Sequence, residues 1–186
     1  MQNLSFIGVP ILMLSDYYLT LIGNIYKKKK YGEHFITETY ELNPIWRKDV
    51  DNPKWINYKH LLAVISITAY FYLISEFLDQ PLYYQFMIGF FYVSFGMING
   101  RHLNNYFLFK YIIKHPNEIT GKLYLDHLLV LKMSQFQLMV MTVPLILLTF
   151  LEPNVYLFGG LFGCLVLYIT HFSWIRKHKR HLAKQK

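Results

Sequence analysis

Five long apolar blocks limit what this chain can fold into. A bilayer core about 30 Å thick requires about 20 mainly apolar residues per helix, and the sequence, which is 54% hydrophobic, repeatedly supplies blocks near that length. The pattern predicts an all-α integral membrane protein, a bundle of five or alternatively four transmembrane helices in one domain, residues 1–186. The predicted spans are about residues 4–26, 61–78, 83–102, 132–151 and 155–174.

Lysine and arginine are concentrated in alternate connections between these blocks. The loop at residues 27–60, the connection at 103–131 and the tail at 175–186 are basic, whereas the turns near residues 76–81 and 152–154 contain no lysine or arginine. The positive-inside rule therefore places the N-terminus outside and the C-terminus in the cytoplasm, with the protein in the plasma membrane. If the first block does not span, four spans remain and the N-terminus lies inside.

Two blocks are longer than a membrane requires. About 20 residues per crossing ends the membrane part of the third helix near His102 and begins that of the fourth near Lys132. The excess predicts a cytoplasmic helical hairpin at about residues 103–131, with arms at 103–114 and 122–131. We expect the first block to be a retained span, because Asp16 interrupts it and no small-residue cleavage site follows.

The net charge of +8 is carried at the edges of the apolar blocks. That position favours membrane lipids, with anionic headgroups at the basic loops, as partners and argues against nucleic acid. A single cysteine, Cys164, excludes an intrachain disulfide. Two GxxxG pairs, Gly96 with Gly100 and Gly159 with Gly163, permit close helix approach within one chain, in a homo-oligomer or against a partner subunit.

Asp16 is the most informative single residue, because a carboxylate inside a span must be paired, protonated or hydrated. Thr20 and Asn24 follow at helical spacing, so one face of the first helix is polar toward its predicted cytoplasmic end. This stripe has three interpretations: an internal hydrogen-bond network, a site for a substrate or ion, or a helix that inserts only marginally.

A second polar feature is the sequence Glu41, Leu42, Asn43, Pro44 in the basic loop. Together with Asp16 and Thr20, and with Pro53 and Lys59 before the next apolar helix, this E-x-N-P segment resembles small prokaryotic membrane proteins of the DUF5658 type. The resemblance covers about the first 70 residues and has no established activity attached to it. It implies a membrane topology and a joint importance of Asp16, Glu41 and Asn43.

Polar residues of several predicted helices fall at one depth, near the cytoplasmic boundary. In one interpretation Asp16, Glu41, His102 and His127 converge on a divalent metal such as zinc, iron or manganese. In a second, Arg101, Lys132 and the histidines reach toward lipid phosphates. In a third, a metal-free polar pocket binds an anionic headgroup through Arg101 and Lys132 and a proton or polar group through Asp16 and Glu41. The candidate polar-site residues are Asp16, Thr20, Glu41, Asn43, Arg101, His102, Asp126, His127 and Lys132.

Three functions fit these features. The protein could move or sense a small ion or polar solute through a crevice at the inner leaflet, serve as an accessory or scaffold subunit, or act as a metal-dependent membrane enzyme on a lipid. Whether it is an enzyme is left open, because the sequence has no GxSxG, P-loop or dinucleotide-binding motif. The sequence identifies no catalytic residue. A divalent metal is the one cofactor considered, and the cofactor is otherwise unknown.

Overall fold

A computed structural model gives the fold and describes residues 4–37, 40–43, 45–77 and 80–184. The chain is mostly helical. Short 3-10 turns lie at Leu4–Ile7 and Pro116–Glu118, and a π-helical turn lies at Lys27–Tyr31. The remaining elements are α1 (Gly8–Tyr26), α2 (Gly32–His34), β1 (Phe35–Thr37), α3 (Arg47–Asp51), α4 (Tyr58–Phe77), α5 (Pro81–Lys114), β2 (Leu123–Leu125), α6 (His127–Leu151) and α7 (Val155–Ala183).

Four helical segments of the described chain are long and apolar enough to cross a membrane. They are Ser5–His34, which contains α1, and the helices α4, α6 and α7. The all-α class is confirmed, and the structure supports four of the five predicted spans. The segment without support is the predicted span at 83–102 in α5, where Gln85, Asn99 and several tyrosines lower the mean hydropathy. The alternative prediction of four spans leaves out a different segment, the first apolar block.

Helix α5 nevertheless lies at the centre of the bundle, between α1 and α7. Contacts along α1 show that it runs parallel to α5: Ser5 lies against Tyr84, the Leu12 carbonyl accepts from Asn99, and Thr20 lies against His102. The residues of α7 that contact α5 follow the same order. Central packing explains part of the polar content of α5, because a neighbouring helix accepts from groups such as the Asn99 side-chain NH2, which donates to the Leu12 carbonyl at 2.9 Å.

Helices α4 and α6 run in the opposite direction to these three. Helix α4 packs on α1 and α5 through Val64, Phe71 and Ile74 in an apolar cluster, and α6 packs on α7. The end of the bundle where α1, α5 and α7 finish and α4 and α6 begin is called the basic end here. It contains the lysines at 27–30 and the basic C-terminal turns of α7.

The connections at the basic end are more structured than the sequence predicts. A short parallel sheet pairs β1 with β2, with Phe35 opposite Leu123 and Thr37 opposite Leu125. The predicted hairpin therefore has only one helical arm, the extension of α5 to Lys114. The second arm at 122–131 is not a continuous helix, because its first residues pair with β1 and Asp126 then caps α6 by accepting from the Leu128 N–H at 2.7 Å.

The long basic loop is fastened to α1 by hydrogen bonds to backbone carbonyls. Asn24, which is 2% exposed, donates to the Val50 carbonyl at 2.6 Å, and the Tyr17 hydroxyl donates to the Lys54 carbonyl at 2.8 Å. Asp49 joins the loop to the start of α4 through Lys54 and Asn57. These bonds hold the second half of the loop, residues 49–57, against α1 and the start of α4.

Candidate functional site

A polar crevice of about 170 Å³ lies at the basic end, between α5, α6, the π-helical turn that follows α1 and the loop after β1. We call it the basic-end crevice. Its polar wall comes chiefly from α5 and the loop, and its apolar wall from α5, α6 and β2. The lining residues are Lys27, Tyr31, Thr37, Tyr40, Glu41, Leu42, Arg101, His102, Asn105, Phe109, Leu125, Val130, Met133, Ser134 and Gln137.

His102 connects this crevice to the polar stripe of α1. Its Nε2 lies 3.2 Å from Asp16 Oδ1 and 3.1 Å from Thr20 Oγ1. The Thr20 hydroxyl donates to the Asp16 backbone carbonyl at 2.8 Å, so its oxygen is an acceptor toward the imidazole. With two acceptors in front of it, Nε2 carries a proton.

The other imidazole nitrogen is left for a ligand. His102 is 7% exposed, and its Nδ1 is buried without a hydrogen-bond partner among the described residues. A buried polar atom without a partner costs about 1–3 kcal/mol, and such atoms in native proteins frequently mark a functional site or a bound molecule. A carboxylate that orients one imidazole nitrogen while the other stays available can support proton transfer or ligand binding.

Arg101, the neighbour of His102 on α5, begins a second polar chain. Its guanidinium donates to Ser134 on α6, and Ser134 lies 2.9 Å from His171 Nε2 on α7. The His171 Nδ1 donates to the Leu167 carbonyl at 3.0 Å. Because these bonds link three helices, Arg101 is held at the crevice wall rather than extending freely into solvent.

The loop contributes an acid and a phenol to the crevice. Burial raises the pKa of Glu41 above its ordinary value, and the Asn43 backbone N–H, which donates to Glu41 Oε1 at 2.6 Å, offsets this in part together with His102 and Arg101. Burial also raises the pKa of Tyr40 to about 12. Desolvation therefore favours the uncharged forms of these two side chains.

Glu41 predicts a pH dependence of stability. An acid whose pKa is higher in the folded state stabilises the fold fully below its unfolded pKa, and that contribution is lost as pH rises through the folded pKa. Replacing Glu41 with glutamine should therefore raise the melting temperature relative to the wild type near pH 7.5, and the gain should shrink near pH 4.5, by about 2–4 °C for each kcal/mol involved.

The control for this prediction is Glu33→Gln, because Glu33 is exposed and pairs only at the surface with Lys30 at 3.4 Å. Its melting temperature should follow the wild type at both pH values. Thermal unfolding in detergent at the two pH values measures the differences. A Glu41→Gln gain that stays constant or grows on acidification contradicts the prediction.

The structure brings some predicted site residues together and separates others. Asp16, Thr20 and His102 are in direct contact, and Glu41 lies in the same crevice beside Arg101. Asn43 closes a turn by accepting from the Ile45 N–H and does not line the crevice. Asn24, the third residue of the α1 stripe, belongs to the loop attachment.

Three residues predicted on α6 and just before it do not line the crevice. Asp126 is the cap of α6. The His127 ring packs edge-on against His178, with centroids 4.9 Å apart. Lys132 is on α6 between crevice-lining positions and is itself absent from the wall. The sequence predicts where along a helix such side chains lie, but it does not predict the face of the helix on which they lie.

The predicted four-ligand metal set is not assembled in the described structure. Asp16 and His102 are adjacent, whereas His127 lies against His178 instead. Among the described residues no group of three or more His, Cys, Asp or Glu side chains could hold a metal ion. The crevice is instead a site in which cationic, carboxylate and phenol groups are mixed.

Tyr40, Asn105 and Gln137 line the crevice without having been named as candidate site residues. Tyr40 directly precedes the E-x-N-P segment, which is the only local signal that could have marked it. Asn105 lies one helical turn after Arg101 on α5, at the spacing of a shared face. Gln137 is one turn after Met133 and has no comparable signal.

Fold and site together define a helical protein with four membrane-compatible helices and a polar crevice at one end. No family model matches the chain, and neither the search of curated proteins nor that of solved structures found a match. The functional argument therefore rests on the crevice itself.

Proposed function

We propose that this chain is a five-span protein of the plasma membrane that binds a small ion or polar solute in the basic-end crevice, for transport or sensing. The N-terminus lies outside and the basic end, with the C-terminus, lies in the cytoplasm. The parallel direction of α1, α5 and α7, opposite to α4 and α6, supports five crossings. The basic residues collected at one end support the orientation.

The observation that carries this proposal is the contact of half-buried Asp16 with buried His102, which borders a crevice that also contains Arg101. An aspartate and an arginine at this depth are expensive, and such residues in membrane proteins usually serve a pathway or a ligand. Arg101 favours an anion. The His102 Nδ1, which lacks a partner among the described residues, can accept a hydrogen bond from the P–OH group of hydrogen phosphate.

The first test measures anion binding by the purified protein in detergent, with inorganic phosphate as the probe. Phosphate should raise the melting temperature of the wild type, since a ligand that binds only the folded state stabilises it. Asp16→Asn should weaken phosphate binding by about tenfold or more, because a hydrogen bond to a charged group contributes about 1.5–3 kcal/mol and the Asp16 carboxylate holds the His102 ring with its Nδ1 free for the ligand.

The matched control is Asp126→Asn, which makes the same chemical change outside the crevice. Asparagine is as good a helix cap as aspartate, so phosphate binding should be unchanged. If folded Asp16→Asn binds phosphate as tightly as the wild type, or if phosphate has no effect on the wild type while Zn²⁺ or Mn²⁺ stabilises it, anion binding in the crevice is refuted.

A further inference from the structure

A second cavity lies beside the basic-end crevice, between α5 and α6. This lateral groove has a volume of about 490 Å³. Glycine at position 100 leaves this space open, since a Cβ added there would meet only the Met141 methyl, at 3.8 Å. Gly96, one turn earlier on α5, is also open, because a Cβ added there would meet no described atom within 4 Å. The predicted GxxxG pair at these positions is thus not used for helix contact within the chain.

The groove is polar at one end and apolar along the rest of its length. Arg101 and Asn104 line it toward the basic end. Farther along α6 the wall consists of Phe136, Val140 and Met141, whose side chains are exposed. A single slot with a cationic end and an apolar wall matches a molecule that has an anionic head and a hydrocarbon chain.

The groove and the basic-end crevice lie side by side and share part of their lining. Arg101, Met133 and Gln137 line both of them. Arg101 is therefore available to a ligand in either cavity. A ligand that occupies both needs an anionic head for the polar crevice and an apolar portion for the groove, which is the form of a lipid.

We infer that the groove and crevice together bind one anionic phospholipid of the cytoplasmic leaflet. An acyl chain lies along Phe136, Val140 and Met141, and the phosphate is held by Arg101 within the crevice. This inference rests on the proposed function in one respect, that the crevice binds an anion, and it identifies that anion as the phosphate of a lipid headgroup. Ser134 accepts one N–H of the guanidinium, and the planar guanidinium has five N–H donors, so it can also hold a phosphate through two parallel bonds.

Charge and position favour this occupant over a zwitterionic lipid. Lys27 lines the crevice beside Arg101, and the lysine run continues directly outside it. Anionic headgroups in the cytoplasmic leaflet are attracted to basic segments of this kind. Of the two nearby carboxylates, Asp16 does not line the crevice and is bound to His102, and Glu41 accepts from the Asn43 backbone N–H.

The experiment is native mass spectrometry of delipidated full-length protein titrated with dioleoyl phosphatidylglycerol, with dioleoyl phosphatidylcholine for comparison. The wild type should bind one phosphatidylglycerol about tenfold more tightly than phosphatidylcholine, because only the former presents an uncompensated phosphate charge to Arg101. Inorganic phosphate binding, measured by thermal shift, is followed in parallel to separate the headgroup site from the chain site.

Four variants distinguish the two parts of the site. Gly100→Leu fills the groove at a position where added atoms have room, so it should lower phosphatidylglycerol affinity about fivefold or more and leave phosphate binding intact. Arg101→Gln should weaken both. Arg101→Lys keeps the positive charge but not the planar guanidinium with its two parallel N–H donors. It should weaken phosphatidylglycerol and phosphate binding to a lesser degree. Val166→Phe adds bulk on the exposed face of α7 and should change neither.

The outcomes separate this inference from the proposed function. Phosphatidylglycerol binding that is equal in the wild type and Gly100→Leu, or no tighter than phosphatidylcholine binding, overturns the lipid inference while Arg101-dependent phosphate binding still supports the crevice. A dimer that is lost in Gly100→Leu shows that a helix of a second copy fills the groove, which also overturns it. Loss of Arg101 dependence for both probes overturns the inference and the proposed function together.

Discussion

Gly159→Ala is expected to be among the most damaging single-methyl changes in this protein. A Cβ at Gly159 on α7 would overlap the Phe86 carbonyl oxygen of α5, and it would also approach the Phe90 amide nitrogen at 3.0 Å. Backbone atoms cannot move aside as a flexible side chain can. The helices must separate, and we expect a loss of about 1–3 kcal/mol or more of stability.

Gly89 shows that this approach is reciprocal. A Cβ at Gly89 on α5 would overlap the Tyr156 carbonyl oxygen of α7, and one at Gly163 would lie 2.8 Å from the Phe90 carbonyl oxygen. Close contact of the two backbones therefore extends over more than one turn. Without strong hydrophobic attraction between helices in lipid, such packing is a principal source of helix association.

Gly96→Ala is the matched control, since the same methyl group is added to α5 where nothing lies within 4 Å. There alanine should be neutral or stabilise by about 0.5–1 kcal/mol, because glycine lowers helix stability by that amount. Thermal unfolding in detergent and the recovery of monodisperse protein measure both variants. If Gly159→Ala is tolerated as well as Gly96→Ala, α5 and α7 do not meet as described.

Helix positions were largely predictable from the sequence because apolar length determines them. Helices α4 and α7 contain nearly all of the predicted spans 61–78 and 155–174. The status of α5 was not predictable in the same way. A helix surrounded by other helices tolerates residues such as Gln85 and Asn99. The mean hydropathy of such a helix therefore depends on the helices packed against it as well as on the surrounding lipid or water.

The β1–β2 pairing was beyond sequence reasoning for a different physical reason. Each strand has only three residues, and Phe35 pairs with Leu123, far away in the chain. Three residues are too few to show the alternation of polar and apolar side chains that marks a strand. The pairing is stabilised by hydrogen bonds between backbone groups, which the sequence pattern does not reveal. The His34 Nδ1 bond to the Gly121 carbonyl at 2.8 Å supports the same junction.

The candidate site was predictable only in part. A polar residue inside an apolar block is visible in sequence, and Asp16 and His102, chosen for depth, are in contact. His127 was chosen by the same criterion and lies elsewhere, because depth does not determine the direction of a side chain. The lateral groove was not foreseen, since the Gly96 and Gly100 pair is equally compatible with a filled interface.

Arg101→Met is expected to produce the largest electrostatic loss. Arg101 interacts with the Asp16 and Glu41 charges, and it donates to Ser134. Removing one partner from a buried group of charges leaves the others uncompensated, which typically costs about 3–5 kcal/mol. For a chain of this size the melting temperature should fall by about 2–4 °C for each kcal/mol.

A second-site change separates the charge effect from the loss of packing. Arg101→Met combined with Glu41→Gln removes a cation and an anion from the same crevice, so part of the stability should return relative to Arg101→Met alone. Glu33→Gln in the same background removes an exposed carboxylate and should restore nothing. Melting temperatures of the wild type, single and double variants form a thermodynamic cycle. A cycle with no coupling between positions 101 and 41 means that their charges do not interact across the crevice, which contradicts the prediction.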